Sequence, residues 1–210
     1  MAKVGGINRH MSTQPKESAA RRKILDTAAD LFYQDGIRAT GIDAVIKKAD
    51  VARMTLYKYF PTKDALVEAF LREKADMLAD VVICTDSGCV DASPRERLLA
   101  LFDALAARLL SDDYRGCPFI NAAVESADPA STTFCAVKDY KARLENVIRQ
   151  RVGALGVPDE EQLTQQLLLI CDGASVRAQL GYAESAVPAA RQAVVRLIDD
   201  ALRGNQNAGE

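Results

Sequence analysis

The amino-acid sequence predicts an all-α protein of about nine helices, with a small N-terminal head and a larger body. Apolar residues recur at one-face helical spacing through most of the chain after residue 16, and no stretch alternates as a strand would. Residues that start and stop helices separate these stretches. The composition, with 49% hydrophobic and 27% charged residues, is ordinary for a globular protein.

Four segments are expected along the chain: a flexible arm at 1–16, a head at 17–61, a body at 62–204 and a flexible tail at 205–210. The dipeptide His10-Met11 leaves open whether the natural chain begins at Met11. No apolar run reaches the roughly 18 residues of a membrane span, and no charged-then-apolar leader is visible. We therefore expect a soluble, cytoplasmic protein with no membrane partner.

The head is expected to contain three short helices. The first carries its apolar residues on one face and stops at Gly36. Thr40 is positioned to cap the second helix, after which Asp50 turns the chain. The third helix covers Val51–Phe60 and stops before Pro61, which has no backbone N–H to donate.

Further helices are expected in the body. Thr62 caps the helix that leads out of the head, and a turn-rich segment at 84–92 follows it. Ser93-Pro94-Arg95-Glu96 then combines a serine cap, a proline in the first position and a glutamate three residues after the cap. Later helices are predicted at 118–126, 132–154, 159–182 and 188–203.

Charge is distributed unevenly between the head and the rest of the chain. Residues 1–60 carry a net charge of +5 and the remaining residues −7, within a total of −2. A basic head on an acidic body indicates an anionic partner for the head alone.

The helix predicted over Val51–Phe60 has two different sides at about 100° per residue. Ala52, Leu56 and Phe60 are expected to face inward. The outward and flanking positions offer cations, hydroxyls, an aromatic ring and a flexible apolar tip: Arg53, Met54, Thr55, Tyr57 and Lys58. Such a face fits the recognition helix of a helix-turn-helix, although any amphipathic surface helix also has a polar face.

Three stretches of the head carry a family resemblance: TGIDAV at 40–45, ADV at 49–51 and TLYKYFPTKDAL at 55–66. Together they resemble the DNA-binding head of TetR-type (TetR/AcrR) transcriptional regulators, and the Leu-Tyr-x-Tyr-Phe-x-x-Lys core is highly specific. Close similarity covers residues 17–70. The body has a looser likeness in Arg115-Gly116-Cys117-Pro118-Phe119 and Asp172-Gly173-Ala174. The resemblance implies a helical homodimer that binds DNA with its heads and a small molecule with its bodies.

The resemblance also implies DNA-contacting roles for residues of the head. Thr40 would cap its helix and touch a phosphate. The major groove would be faced by Arg53, Met54, Thr55 and Tyr57, and backbone phosphates would be clamped by Lys58, Tyr59 and Lys63. The sequence departs from the family at Asp50, where glycine is usual, and at Met54, where many relatives have glycine. The preferred base sequence therefore does not follow from the resemblance.

A ligand cavity is implied between the helices that follow Ser93 and Thr132. Its expected lining is mostly apolar with a few polar anchors: Phe102, Leu105, Phe119, Asn121, Val124, Phe134 and Tyr140. Ordinary core packing is the alternative for each of these residues.

The stretch Leu167–Cys171 is apolar on too many sides to face a single core. We expect it to help build a four-helix interface between two subunits, with burial inside one subunit as the alternative. The candidate interface residues are Leu169, Val176, Leu180, Val194, Leu197 and Ile198.

Neither a metal nor a cofactor is expected, and no catalytic residue is assigned. The five cysteines are scattered and His10 is the only histidine, which excludes the usual zinc spacings. A redox switch at Cys84 and Cys89 stays open as an alternative. No nucleophile–base pair or glycine-rich phosphate loop favours an enzyme.

The function expected is that of a ligand-responsive transcriptional regulator. It would bind double-stranded operator DNA of near-palindromic sequence as a homodimer and be released by a small-molecule effector of unknown identity. Repression is the expected action, but the sequence leaves activation open.

Overall fold

The computed structural model describes residues 18–87, 91–126 and 128–207 of the protein. Of residues 78–87 and 205–207 it describes only the helical backbone. Within these ranges the chain forms helices and no strand, which confirms the predicted all-α class. The helices are α1 (Ala19–Asp35), α2 (Ile42–Ala49), α3 (Arg53–Tyr59), α4 (Lys63–Ser87), α5 (Pro94–Leu109), α6 (Pro118–Glu125), α7 (Thr132–Gly153), α8 (Glu160–Arg177) and α9 (Ala183–Asn207).

A π-helical turn at Ala178–Tyr182 joins α8 to α9, and Gly181 leaves helical geometry there with φ 86°. The last helix therefore begins at Ala183 rather than at Pro188, and it continues into the segment expected as a flexible tail. None of the helices in the described ranges is both long and apolar enough to cross a bilayer.

The head packs its three helices around one apolar core. Ile24, Phe32, Val45 and Leu56 are buried there, and the Phe32 ring meets Phe70 of α4 edge-on at 5.7 Å between centroids. The same cluster of buried side chains continues into α6 and α7 of the body. The first part of the long helix α4 thus packs with the head, although the sequence analysis assigns this helix to the body.

A second apolar core holds the body together. Its completely or almost completely buried members come from four helices: Leu98 of α5, Ile148 and Val152 of α7, Leu167 of α8, and Val194 and Ile198 of α9. This core is a cluster of buried side chains separate from the one that joins the head to α6 and α7.

Most of the predicted caps are present. Ser93 accepts from the backbone N–H of Glu96 while the Glu96 carboxylate accepts from the N–H of Ser93 at 2.7 Å, a complete capping box. Thr62 accepts from Ala65 at 3.0 Å, and Asp159 caps α8. These bonds satisfy backbone donors that have no partner within the helix.

The prediction for Thr40 is wrong. Gly41 occupies the N-cap of α2, and the buried Thr40 hydroxyl instead donates to the carbonyl of Gly36 at 2.8 Å. Its side chain therefore stabilises the connection between α1 and α2. The last carbonyls of a helix lack partners within the helix, as the first N–H groups do, so either set can bind a nearby hydroxyl.

Two other expectations about boundaries change. Ala52 is the exposed N-cap of α3 instead of an inward-facing residue, so Leu56 and Phe60 alone anchor that side. The turn expected at 84–92 begins later, since α4 runs to Ser87. The backbone at Cys84 is helical, while its side chain and all of Cys89 lie outside the described residues, as does the arm at 1–16.

Asp50 makes the tight turn of the helix-turn-helix. It is the one non-glycine residue with positive φ in the described ranges, at φ 49° and ψ 58°, and its N–H reaches the carbonyls of Ile46 and Lys47. Left-handed geometry is costly for L-residues, and aspartate tolerates it better than most.

We expect Asp50→Gly to raise the free energy of unfolding by roughly 0.5 kcal/mol, since glycine adopts positive φ without a Cβ clash. Asp50→Val should lower it by about 1 kcal/mol, because β-branched residues are the least suited to this region. Urea unfolding at fixed protein concentration measures both.

Asp30→Gly is the matched control, because Asp30 is exposed in the middle of α1. There the same substitution should destabilise by about 0.5 kcal/mol. Destabilisation by Asp50→Gly would contradict the account of this turn.

Candidate DNA interface and ligand cavity

Helix α3 presents a polar and flexible face to solvent. Met54 is 79% exposed and Tyr57 38% exposed, while Leu56 on the opposite side is completely buried. Arg53 is exposed and its guanidinium donates to the Asp43 carboxylate of α2 at 2.5 Å. Thr55 is half-buried beside them. The residues expected to face a major groove thus form one continuous patch.

The residues expected to bind phosphate lie beside this patch. Lys58 is exposed, with its Nζ 5.6 Å from the centroid of the Tyr59 ring. The Tyr59 hydroxyl is 2.8 Å from the hydroxyl of Ser18, the N-cap residue of α1. Lys63 is the first residue of α4, whose N-terminal N–H groups favour an anion. Thr40 is absent from this group because its hydroxyl is buried and already bonded.

A cavity of about 500 Å³ lies in the body between α4, α5, α7 and α8. Four of the residues predicted to line it do so: Phe102, Leu105, Phe119 and Tyr140. The Phe119 and Tyr140 rings stack face to face, with centroids 3.4 Å apart. The volume lies within the range of small-molecule sites in proteins.

Three other predicted lining residues lie outside the cavity. Val124 is 80% exposed on α6, and Phe134 is packed near Lys138 at the start of α7. Asn121 accepts from Gln179 at 3.0 Å and donates to the carbonyl of Arg115. The predicted cavity lining is therefore wrong for these three residues. Helical spacing alone does not show which side of α6 or α7 faces the cavity.

The cavity also has a polar part that the sequence did not reveal. Arg108 donates to Asp113 at 2.8 Å and to the Tyr33 hydroxyl at 2.9 Å. Lys141 pairs with Asp172 at 2.5 Å. Asp172 belongs to a stretch with a looser family likeness, which is the one sequence signal for this pair.

Tyr33 reaches the cavity from the head. Its hydroxyl donates to the carbonyl of Gly116 at 3.1 Å and accepts from the N–H of Arg115 at 2.9 Å. The backbone of Gly116 has φ 102°, and a Cβ there would come within 2.5 Å of the Gln179 side chain. The positive φ favours glycine where the α5–α6 connection passes between Tyr33 and the π-helical turn.

A second contact links the head and the body on the outside of the cavity. The Glu125 carboxylate of α6 accepts from the backbone N–H of Arg38 at 2.6 Å. Glu125 thus holds the loop between α1 and α2.

Burial sets the proton affinity of the groups around the cavity. Desolvation raises the pKa of Tyr114 to about 12 and raises the pKa of Tyr33 and Tyr140 above its ordinary value of 10. Desolvation likewise raises the pKa of Cys171 to about 12 and the pKa of Cys117 above its ordinary value. These thiols are therefore held in their unreactive protonated form near neutral pH.

The candidate interface residues divide into two groups. Leu169, Val176 and Leu180 are exposed, with Leu169 at 73%. Val194 and Ile198 have no exposed surface and Leu197 is half-buried against the same body core. Val194 and Ile198 are thus corrected to packing within one subunit, because a fully buried side chain has no surface left to offer a partner.

Comparisons with known proteins agree with this architecture. The sequence model described as "Bacterial regulatory proteins, tetR family" matches residues 24–70. The HTH-type transcriptional regulator YjdC of Escherichia coli is 24% identical over 186 residues, covering 87% of this chain and 93% of the relative.

Solved structures extend the likeness to the body. A TetR-family transcriptional regulator from Streptomyces coelicolor superposes with a TM-score of 0.84 at 27% identity, covering 88% of this chain and 91% of that one. A putative TetR-type regulator from Streptomyces avermitilis is 31% identical with a TM-score of 0.74, covering 88% of this chain and 98% of that one.

The buried phenols predict a loss of stability in alkaline solution. Because the pKa of Tyr114 is higher in the folded state, the folded chain keeps a proton that the unfolded chain releases. This contribution is fully present below pH 10 and is lost as the pH rises from 10 to about 12. Unfolding free energies measured across that range should decline, and tyrosinate absorbance should develop in two phases.

Tyr114→Phe should make the decline shallower and reduce the amplitude of the late phase. A single phase near pH 10, complete while the chain is still folded, would contradict the burial of these phenols.

Proposed function

The chain belongs to the TetR family of bacterial regulatory proteins and is a transcriptional regulator, and on that basis we propose that it is a ligand-responsive repressor. It binds a near-palindromic operator as a homodimer and leaves the DNA when a small molecule occupies the body cavity. Such a regulator acts in the cytoplasm, where the DNA is.

The observation that carries this proposal is the outward face of α3. Met54, Tyr57 and Lys58 are exposed there and are available to a partner. A flexible apolar tip suits a thymine methyl group, and a lysine and a phenol suit phosphate oxygens. Lys63 at the start of α4 extends the phosphate-binding surface.

A homodimer is supported by the apolar surface of α8. Leu169 and Val176 are exposed on a helix whose opposite side is buried in the body core, and Leu180 is exposed in the π-helical turn that follows it. Exposed apolar residues that cluster on one helix indicate an interface, and a two-fold axis pairs such a patch with itself. Two heads would then reach half-sites ~34–36 Å apart.

The proposed release from DNA depends on α4. This helix begins at Lys63 beside the DNA-facing patch, and its residues Lys74 and Met77 line the cavity. A ligand that prefers another position of α4 weakens DNA binding, because the coupling between two binding sites is reciprocal.

Selection of bound sequences from random duplex DNA tests the proposal. We expect enrichment of a near-palindrome whose half-sites are one helical turn apart, about 10 base pairs from centre to centre. Failure to enrich any sequence, with folded protein at low salt, would refute operator binding.

Removal of the phosphate-binding lysines should weaken binding to all DNA sequences. For Lys58→Ala and for Lys63→Ala, the slope of log affinity against log salt concentration should fall by about one. Fluorescence anisotropy with operator and with unrelated duplex measures this slope.

Lys138→Ala is the control, because Lys138 is exposed on α7 in the body. An unchanged slope for Lys63→Ala would remove this residue from the phosphate-binding set.

A charge placed in the exposed apolar surface of α8 and the π-helical turn after it should separate the subunits. Leu169→Glu and Leu180→Glu are expected to shift the sedimentation profile from dimer to monomer, because an unpaired carboxylate is costly in an apolar interface. Leu110→Glu, at an exposed leucine at the end of α5, should leave the dimer intact. Dimers that persist in both the Leu169 and the Leu180 variant would place the interface elsewhere.

A further inference from the structure

The charges around the cavity do not balance. Among the described residues that line it, three are cationic and two are carboxylates. Arg108 is paired with Asp113 and Lys141 with Asp172. This leaves the fifth charged side chain, Lys74 of α4, without an anionic partner.

The surroundings of Lys74 make that imbalance consequential. Its Nζ lies 6.0 Å from the centroid of the Tyr33 ring and 5.9 Å from that of Phe70. No carboxylate of the described residues pairs with it, and the neighbouring Glu73 is occupied by Arg22 at 3.0 Å. Lys74 is a half-buried residue whose ammonium lies near two aromatic rings, so an anion brought beside it is favoured.

The rest of the cavity wall is apolar on several sides. Met77, Phe102, Leu105, Phe119 and Leu144 offer hydrophobic and aromatic surface in the same cavity as Lys74. A volume of about 500 Å³ leaves room for a hydrocarbon or aromatic body well beyond the size of a simple inorganic anion.

We propose that the effector is an amphipathic organic acid that carries one negative charge, and that its carboxylate pairs with Lys74 while its apolar part fills the cavity. This inference rests on the proposed function, in which the cavity holds the effector. A neutral ligand leaves Lys74 unpaired, and an amine meets a like charge. A dianion brings one negative charge more than the cavity can neutralise.

The position of Lys74 connects this recognition to DNA binding. It follows Lys63 by eleven positions in the same helix, about 16 Å along the axis. An anion drawn to Lys74 therefore acts on the helix whose first turn adjoins the DNA-facing patch.

Calorimetric titration of the full-length protein with decanoate, decanamide and decylamine tests the inference, since the three probes share one chain and differ in charge. Decanoate should bind on the order of ten- to a hundredfold more tightly than decanamide, as expected for a charge-assisted hydrogen bond. Decylamine should bind more weakly than either. Cinnamate and cinnamamide repeat the comparison with an aromatic body.

Substitutions assign the preference to one residue. Lys74→Met should bind decanoate and decanamide with similar affinity, while Lys74→Arg should keep most of the preference. Lys138→Met, outside the cavity, should behave as the unsubstituted protein.

Equal affinity for the acid and the amide, a preference that survives in Lys74→Met, or no binding of either acid would overturn the inference. Binding of decanoate through Lys74 with no loss of affinity for selected operator DNA would overturn its role as the effector class. Operator selection is independent of all these outcomes, so failure here is distinguishable from failure of the proposed DNA-binding function.

Discussion

The apolar core shared by the head and the body is the constraint on which the rest of the structure depends. Leu66, Phe70 and Leu71 of α4 are buried against the head, and the same cluster includes Phe119 of α6 and Val137 of α7. Close-packed interiors deform little, so a displacement of α4 in the head is passed to the α6 and α7 side chains packed in the same core. Two domains that were separable in sequence are therefore mechanically joined.

The elements that the sequence predicts well are those determined by local chemistry. The Ser93 capping box and the Thr62 cap follow from residues three positions apart, and both are present as predicted. The prediction that Thr40 caps α2 was wrong because a hydroxyl between two helices has two sets of backbone partners within reach. Only the folded backbone decides between carbonyls of α1 and donors of α2.

The cavity was predictable only in part, for a different reason. Phe102 and Phe119 belong to helices that were expected to form it. Tyr33 and Lys74 belong to helices assigned to the head or to its exit, and their contact with the body crosses a long sequence separation. The apolar run in α8 left open which residues face the core of the subunit, and in the structure Leu167 is buried while Leu169 is exposed. The same ambiguity applied to α9, where spacing by itself did not assign Val194 and Ile198 to the core.

The contribution of Tyr33 bears on how such regulators can be recombined. Exchanging heads between relatives is an obvious route to a new operator preference, and Pro61 is an obvious junction. In this chain that junction would also exchange Tyr33, and with it a wall of the cavity and the hydroxyl that holds the Arg115-Gly116 backbone. A head transplant here would thus alter the cavity lining along with the outward face of α3 unless the incoming α1 carries a tyrosine at the same position.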